Sequence, residues 1–168
     1  NPFLLTWDVK VKSSKPIRIN VNVLKRFVPI SVDIHHTHDR GLEGFVSVDY
    51  FPVEIFKKKA DIQYVKVVFN EGSDIPGLDG LITYKNPEVD IKILIVGNTQ
   101  NPRIEFESKP ELNRQQIVSV ILFNKSLDEL NEEELSSATN ISRAMSDGAL
   151  GLFSLIFLSS TPIQSVGY

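Results

Sequence analysis

Apolar and polar residues alternate with a period of two through most of the first two thirds of this chain. In the segments 17–23, 28–34 and 89–95, an apolar side chain stands at every second position. This period places the apolar side chains on one face of an extended strand, as a half-buried antiparallel sheet requires. No stretch with helical spacing occurs before residue 112, which argues against a parallel sheet with crossover helices.

Turn residues divide the alternating region into short strands. We predict a loop or pair of turns at 70–80, where glycine and proline cluster. The predicted strands are 5–12, 17–24, 28–35, 45–50, 53–55, 62–69, 81–84, 89–96 and 103–107. A closed barrel, a sandwich and a long curled sheet all fit this pattern.

Helical spacing begins after Pro110. Asn113 with Gln116 predicts a capped helix start, and the segments 126–129 and 131–134 repeat the same signature. The last helix should run through Leu135, Ala138 and Met145 and end near 147–148. The apolar segment 149–158 is too short to cross a bilayer. We expect this segment to be a buried or docking helix. The alternatives are that it covers an apolar groove or that it leaves the groove for a membrane.

The stretch 97–130 carries a resemblance to a known family. It combines a turn with Asn-Pro, an alternating strand, a Ser-x-Pro-x-Leu segment and an apolar helix. The chain resembles the C-terminal domain of the TamB family, within the AsmA-like bridge-type lipid-transfer proteins. Asn124 replaces the glycine that is usual in the family, a mild departure because asparagine also tolerates a left-handed helix end. The matching residues are Asn101, Pro102, Ile104, Phe106, Ser108, Pro110, Leu112, Ile117, Ile121, Leu122 and Phe123.

The resemblance implies a fold and a function. The expected fold is mainly β: an antiparallel curled sheet, or half-pipe, with an apolar concave face and short helices in the C-terminal third. We expect one domain over 1–168, mostly strands at 1–109 and mostly helical at 110–160, cut from a longer protein. That protein would lie in the periplasm of a Gram-negative bacterium, anchored in the inner membrane, with other parts contacting membranes. It would carry phospholipid between the membranes and support outer-membrane protein assembly with an Omp85-type, TamA-like partner.

The apolar face is the predicted lipid-binding groove. Each buried aliphatic side chain contributes roughly 1.5–3 kcal/mol, so something must cover such a face. The strand pattern alone favours a second sheet and the C-terminal helices as the cover, in a closed sandwich, whereas the resemblance favours a curled sheet filled by acyl chains. The predicted groove residues are Ile17, Ile19, Val21, Val23, Val28, Ile30, Val32, Ile34, Val46, Val48, Val53, Ile55, Val89, Ile91, Ile93, Ile95, Ile104 and Phe106.

The sequence offers little catalytic chemistry. It contains no cysteine, its net charge is only −3, and no phosphate-binding or nucleophile motif occurs. We therefore expect no enzyme activity, no cofactor and no nucleic-acid partner. The cluster His35, His36 and His38 is the one ligand-like group, and a polar hairpin tip is its simpler interpretation. The lysine run 57–59 predicts a solvated edge or turn, with a lipid head-group contact as the alternative.

Two alternatives to lipid transport remain open from the sequence. The domain could be a closed β-sandwich that serves as a spacer. It could also bind an Omp85-type partner by strand addition at a sheet edge. A curled sheet cut at both ends also favours an edge-to-edge dimer of the fragment. Trp7 and the phenylalanines are expected in the core.

Overall fold

The part of the chain that the structure describes folds into nine antiparallel strands followed by two helices. The computed structural model describes residues 6–21, 26–55 and 58–146. The strands are β1 (Asp8–Lys12), β2 (Ile17–Val21), β3 (Arg26–Thr37), β4 (Gly41–Val48), β5 (Phe51–Ile55), β6 (Lys58–Phe69), β7 (Gly77–Lys85), β8 (Asp90–Gly97) and β9 (Pro102–Lys109). Helix α1 (Arg114–Phe123), a single 3-10 turn (Leu127–Glu129) and helix α2 (Glu132–Ser146) follow.

All nine strands belong to one open sheet. Its order is β1-β3-β4-β6-β7-β8-β9, and every pairing is antiparallel. The short strands β1 and β2 pair with successive parts of the long strand β3. In the same way, β4 and β5 pair with successive parts of β6. Among the described residues no second sheet forms and the sheet does not close on itself. The curled-sheet prediction is confirmed, and the closed barrel and closed sandwich are wrong.

The strand register sorts the side chains onto two faces. Val32, Val46 and Val67 form one cross-strand row, and Ile82, Ile93 and Phe106 form another. We call the face that carries these rows the inner face and the opposite one the outer face. A β-bulge between Ile62 and Tyr64 shifts the alternation, so Ala60 and Ile62 before it and Val65 and Val67 after it all lie on the inner face.

The three helix-start signatures of the sequence are confirmed. The Asn113 side chain accepts from the Gln116 N–H at 2.9 Å, and the Gln116 side chain accepts from the Asn113 N–H at 2.8 Å. The same reciprocal box occurs at 126–129. At 131–134 the Asn131 side chain accepts from the N–H of Glu134 at 2.8 Å. Asn124 ends α1 in the left-handed conformation that its identity predicted, with φ 55°.

Helices α1 and α2 pack on the inner face at the β7–β9 end of the sheet. Together with these strands they enclose the hydrophobic core. Helix α1 is buried on more than one side because it also contacts α2, where the Gln115 side chain donates to Thr139 Oγ1 at 3.0 Å. The fully or nearly buried core residues are Ala60, Ile82, Tyr84, Val89, Ile91, Ile93, Ile95, Ile104, Ile117, Val118, Ile121, Ala138 and Met145.

Several local predictions were wrong. Part of the predicted loop 70–80 belongs to β7, which begins at Gly77. Gly80 fits there because a Cβ at this position would lie 3.1 Å from the Ile95 side chain. Trp7 is 47% exposed and does not belong to the core. The predicted helix end at 147–148 and the apolar segment 149–158 lie outside the described residues.

Candidate functional site

The structure brings most of the predicted groove residues onto the inner face. The register gives Val21 and Ile55 inner-face positions as well, and Val23 lies outside the described residues. Val89 precedes β8 and is buried in the core. The predicted residues whose side chains share the inner face are Ile17, Ile19, Val28, Ile30, Val32, Ile34, Val46, Val48, Val53, Ile91, Ile93, Ile95, Ile104 and Phe106.

The inner face is covered at one end of the sheet. Ile91 and Ile93 are each 1% exposed, because the residues of α1 and α2 complete the core above them. Ile95 and Ile104 are each 3% exposed in the same cluster. We call this part, over β7–β9, the covered end. Its side chains form the core of the domain.

The other end of the inner face is open. On β2, Ile17 and Ile19 are 50% and 44% exposed, and on β1, Val9 and Val11 are 50% and 54% exposed. The register places Val9 opposite His36 and Val11 opposite Ile34, so both belong to this face. We call the inner face of β1–β4 the open end. The predicted list of groove residues did not include Val9 and Val11. Their alternation with charged residues in the sequence is the signal that could have placed them on this face.

Most charged residues of β1 and β3 lie on the outer face of the open end. Lys10 stands there opposite His35, and Lys12 stands opposite Asp33 at a distance of 3.5 Å. On the inner face, the positions between them are the aliphatic Val9, Val11 and Ile34, whereas Arg26 and His36, near the two ends of β3, are polar inner-face residues. This segregation follows directly from the period of two in the sequence.

Lys58 is a charged residue on the inner face, and it has a structural partner. Its ammonium group donates to the carbonyls of Val120 and Ile121 at 3.1 and 3.0 Å, at the C-terminal end of α1. Burial lowers the pKa of Lys58 below its usual value. A cation at the C-terminal end of a helix is favourable because the last carbonyls carry partial negative charge. The interpretation of Lys58 as a solvated turn residue is therefore wrong, and Lys57 lies outside the described residues.

The three histidines do not come together. His36 and His38 both contact the Trp7 ring, and the Trp7 indole N–H donates to His36 Nδ1 at 2.9 Å. His35 lies on the outer face between Asp8 and Glu43. Within the described ranges, no group of three His, Asp or Glu side chains has the arrangement of a metal site.

The comparison with known families decides which proteins this chain is related to. The family model described as the TamB C-terminal domain matches residues 4–164, nearly the whole chain. The chain belongs to the TamB C-terminal domain family. This family consists of Gram-negative envelope proteins. The search of curated proteins and the search of solved structures each returned no match. In the part of the chain that the structure describes, no helix is both long and apolar enough to span a bilayer.

Proposed function

We propose that this TamB C-terminal domain binds phospholipid acyl chains on the open end of its inner face. It would do so as a periplasmic section of an envelope protein that carries lipid between the two membranes. The role is non-enzymatic. The observation that carries the proposal is the half-exposed aliphatic surface formed by Val9, Val11, Ile17 and Ile19.

The physical argument rests on how this surface differs from an ordinary protein exterior. Single exposed apolar residues are common, but contiguous apolar patches mark sites of interaction. Here the apolar residues occupy neighbouring positions on β1, β2 and β3, and the lysines of β1 are turned to the outer face. A saturated acyl chain needs no directional polar contact, so a surface of aliphatic side chains suits it. Membership of the TamB family supports the same assignment.

The proposed groove contains fewer residues than the sequence predicted. The covered end is filled by α1 and α2, so the acyl chain would lie over β1–β4. The covered-end residues Ile91, Ile93, Ile95 and Ile104 would then stabilise the fold and would not contact lipid. A carboxylate at Ile93 would unfold the domain, so it cannot test lipid binding.

The test places the same charge on the two faces of one strand. Ile19→Asp puts a carboxylate on the inner face of β2, and Asn20→Asp puts one on the outer face one residue away. Bound phospholipid is measured by native mass spectrometry and by lipid extraction, and folding is checked by thermal unfolding. We expect Ile19→Asp to lose the lipid and Asn20→Asp to keep it. A folded Ile19→Asp variant that carries as much lipid as the wild type would refute the proposal.

A second candidate function is strand addition to an Omp85-type partner, and the backbone of β1 favours it. The Ser13 N–H donates to the Val32 carbonyl at 2.8 Å, and the Trp7 carbonyl accepts from the His38 N–H at 3.0 Å. Backbone groups point alternately to the two sides of a strand, so the N–H groups of Lys10 and Lys12 point away from β3. Among the described strands none pairs with that side of β1.

Proline tests this second function without breaking the sheet. Lys10→Pro removes an outward N–H and leaves the hydrogen bonds to β3 in place. Lys10→Ala is the matched control, because it removes the same charge and keeps the N–H. We expect the proline variant alone to weaken the complex with the Omp85-type protein in a pull-down from detergent. Equal binding by both variants would exclude addition at β1.

A further inference from the structure

His35 is held between carboxylates from two neighbouring strands. Its Nε2 lies 2.6 Å from Asp8 Oδ1 of β1, and its Nδ1 lies 3.1 Å from Glu43 Oε1 of β4. The His35 side chain is 24% exposed, whereas both carboxylates are about half exposed or more. One imidazole ring thus connects three consecutive strands of the sheet on its outer face.

The protonation state of the ring decides whether both contacts are hydrogen bonds. A carboxylate oxygen can only accept, and a neutral imidazole has one N–H and one unprotonated nitrogen. Both contacts are donor-to-acceptor bonds only when the ring is an imidazolium. In the neutral ring, one nitrogen lone pair faces a carboxylate oxygen, and that contact is repulsive.

The other carboxylates around His35, Asp33 and Glu71, are paired with basic side chains, and Lys10 adds a positive charge opposite the ring. Lys10 of β1 stands directly opposite His35 in the register, and Lys12 pairs with Asp33 of β3. Glu71, in the turn after β6, shares the outer-face cleft with His35 and pairs with Arg40 at 3.7 Å. Asp8 and Glu43 are therefore the carboxylates that respond directly to the charge of the ring.

We propose that His35 is a pH-dependent clamp that holds the edge strand β1 on the sheet when its ring is protonated. When the ring is neutral, one of its two carboxylate contacts is lost and β1 is held less firmly. Strand β1 has only β3 as a neighbour among the described strands, so a single lost contact affects it more than a central strand. Because β1 carries Val9 and Val11, the clamp controls how far the open end of the inner face extends. The clamp itself does not depend on lipid binding.

The clamp is tested by amide hydrogen exchange, followed residue by residue by NMR. Protection factors, corrected for the intrinsic exchange rate, are compared at about pH 5.5 and about pH 8. We expect the protection of the Val9 and Val11 amides to fall about two- to fivefold at the higher pH, the size expected for partly exposed ion pairs. The Ile93 amide, in the covered end, is the internal reference and should not change.

Variants separate the clamp from general effects of pH. In His35→Gln the protection of β1 should be low at both pH values and independent of pH. His36→Gln alters the next residue, on the inner face, and should keep the pH dependence. The wild-type Trp7–His36 bond needs an unprotonated Nδ1 and would have the opposite pH dependence. The proposal is overturned if wild-type β1 shows no pH dependence, or if His35→Gln retains it. If His35→Gln lowers the melting temperature, Asp8→Asn provides the second test, with the same expected loss of pH dependence.

Discussion

The division of the inner face into a covered and an open end predicts very different costs for one substitution. Ile93→Ala removes a side chain that is 1% exposed, and Ile19→Ala removes the same atoms from a side chain that is 44% exposed. The two positions share residue type, strand structure and sheet face, so the pair isolates the effect of coverage by α1 and α2.

The magnitudes follow from burial. For Ile93 the lost transfer free energy and the cavity left beneath the helices add up to about 3–4 kcal/mol. For Ile19 about half of the removed surface already faces water, and no cavity is left. At about 0.8 kcal/mol per buried carbon, the loss of about three carbons then costs about 1 kcal/mol.

Urea unfolding measures both values. With a slope of about 2 kcal/mol per molar urea, Ile93→Ala should lower the midpoint by about 1.5–2 M and Ile19→Ala by about 0.5 M, with unchanged slopes. Lipid should be removed before the measurement, because a bound ligand raises apparent stability. Equal shifts for the two variants would refute the assignment of an open end, because they would mean that Ile19 is as buried as Ile93.

Three further predictions follow from local contacts. Gly44→Ala should destabilise the domain by about 3 kcal/mol or more, because φ is +113° and the new Cβ would overlap the Asp33 carbonyl oxygen of β3. Gly41→Ala, with open space around it, should cost about 1–2 kcal/mol in the same urea assay. Lys58→Met should lower the free energy of unfolding by about 1 kcal/mol, because two carbonyls at the end of α1 lose their donor; an unchanged midpoint would contradict this. The backbone N–H of Asn131 and the ammonium group of Lys125 lower the pKa of Glu134. The ionised side chain therefore stabilises the folded protein above the unfolded pKa of 4.5, and this stabilisation is lost as the pH falls through the lower folded pKa. The stability difference between wild type and Glu134→Gln in thermal melts should accordingly be largest near neutral pH and vanish in acid, and a constant difference would contradict the argument.

The sequence correctly predicted which side chains share a face. The strand period of two depends only on backbone geometry, so Ile17, Ile19, Val32 and Ile93 could be placed together before any tertiary contact was known. Helix caps were equally local, since Asn113 and Asn131 bond groups only three residues away. The start of β7 at Gly77 was missed because glycines signal turns locally, whereas its pairing with Val68 of β6 and its bridge to Asn98 are tertiary contacts.

Tertiary structure decided which part of the inner face is core and which part is open. Ile19 and Ile93 have the same local pattern in the sequence, and only the packing of α1 and α2 distinguishes them. The same holds for polar residues: the run containing Lys58 has the composition of a solvated turn, yet its ammonium group bonds carbonyls more than sixty positions away. His35 gains its two carboxylates from separate strands for the same reason. Local periodicity determines the face of a side chain, while its burial and its charge partners depend on contacts that the chain makes only when folded.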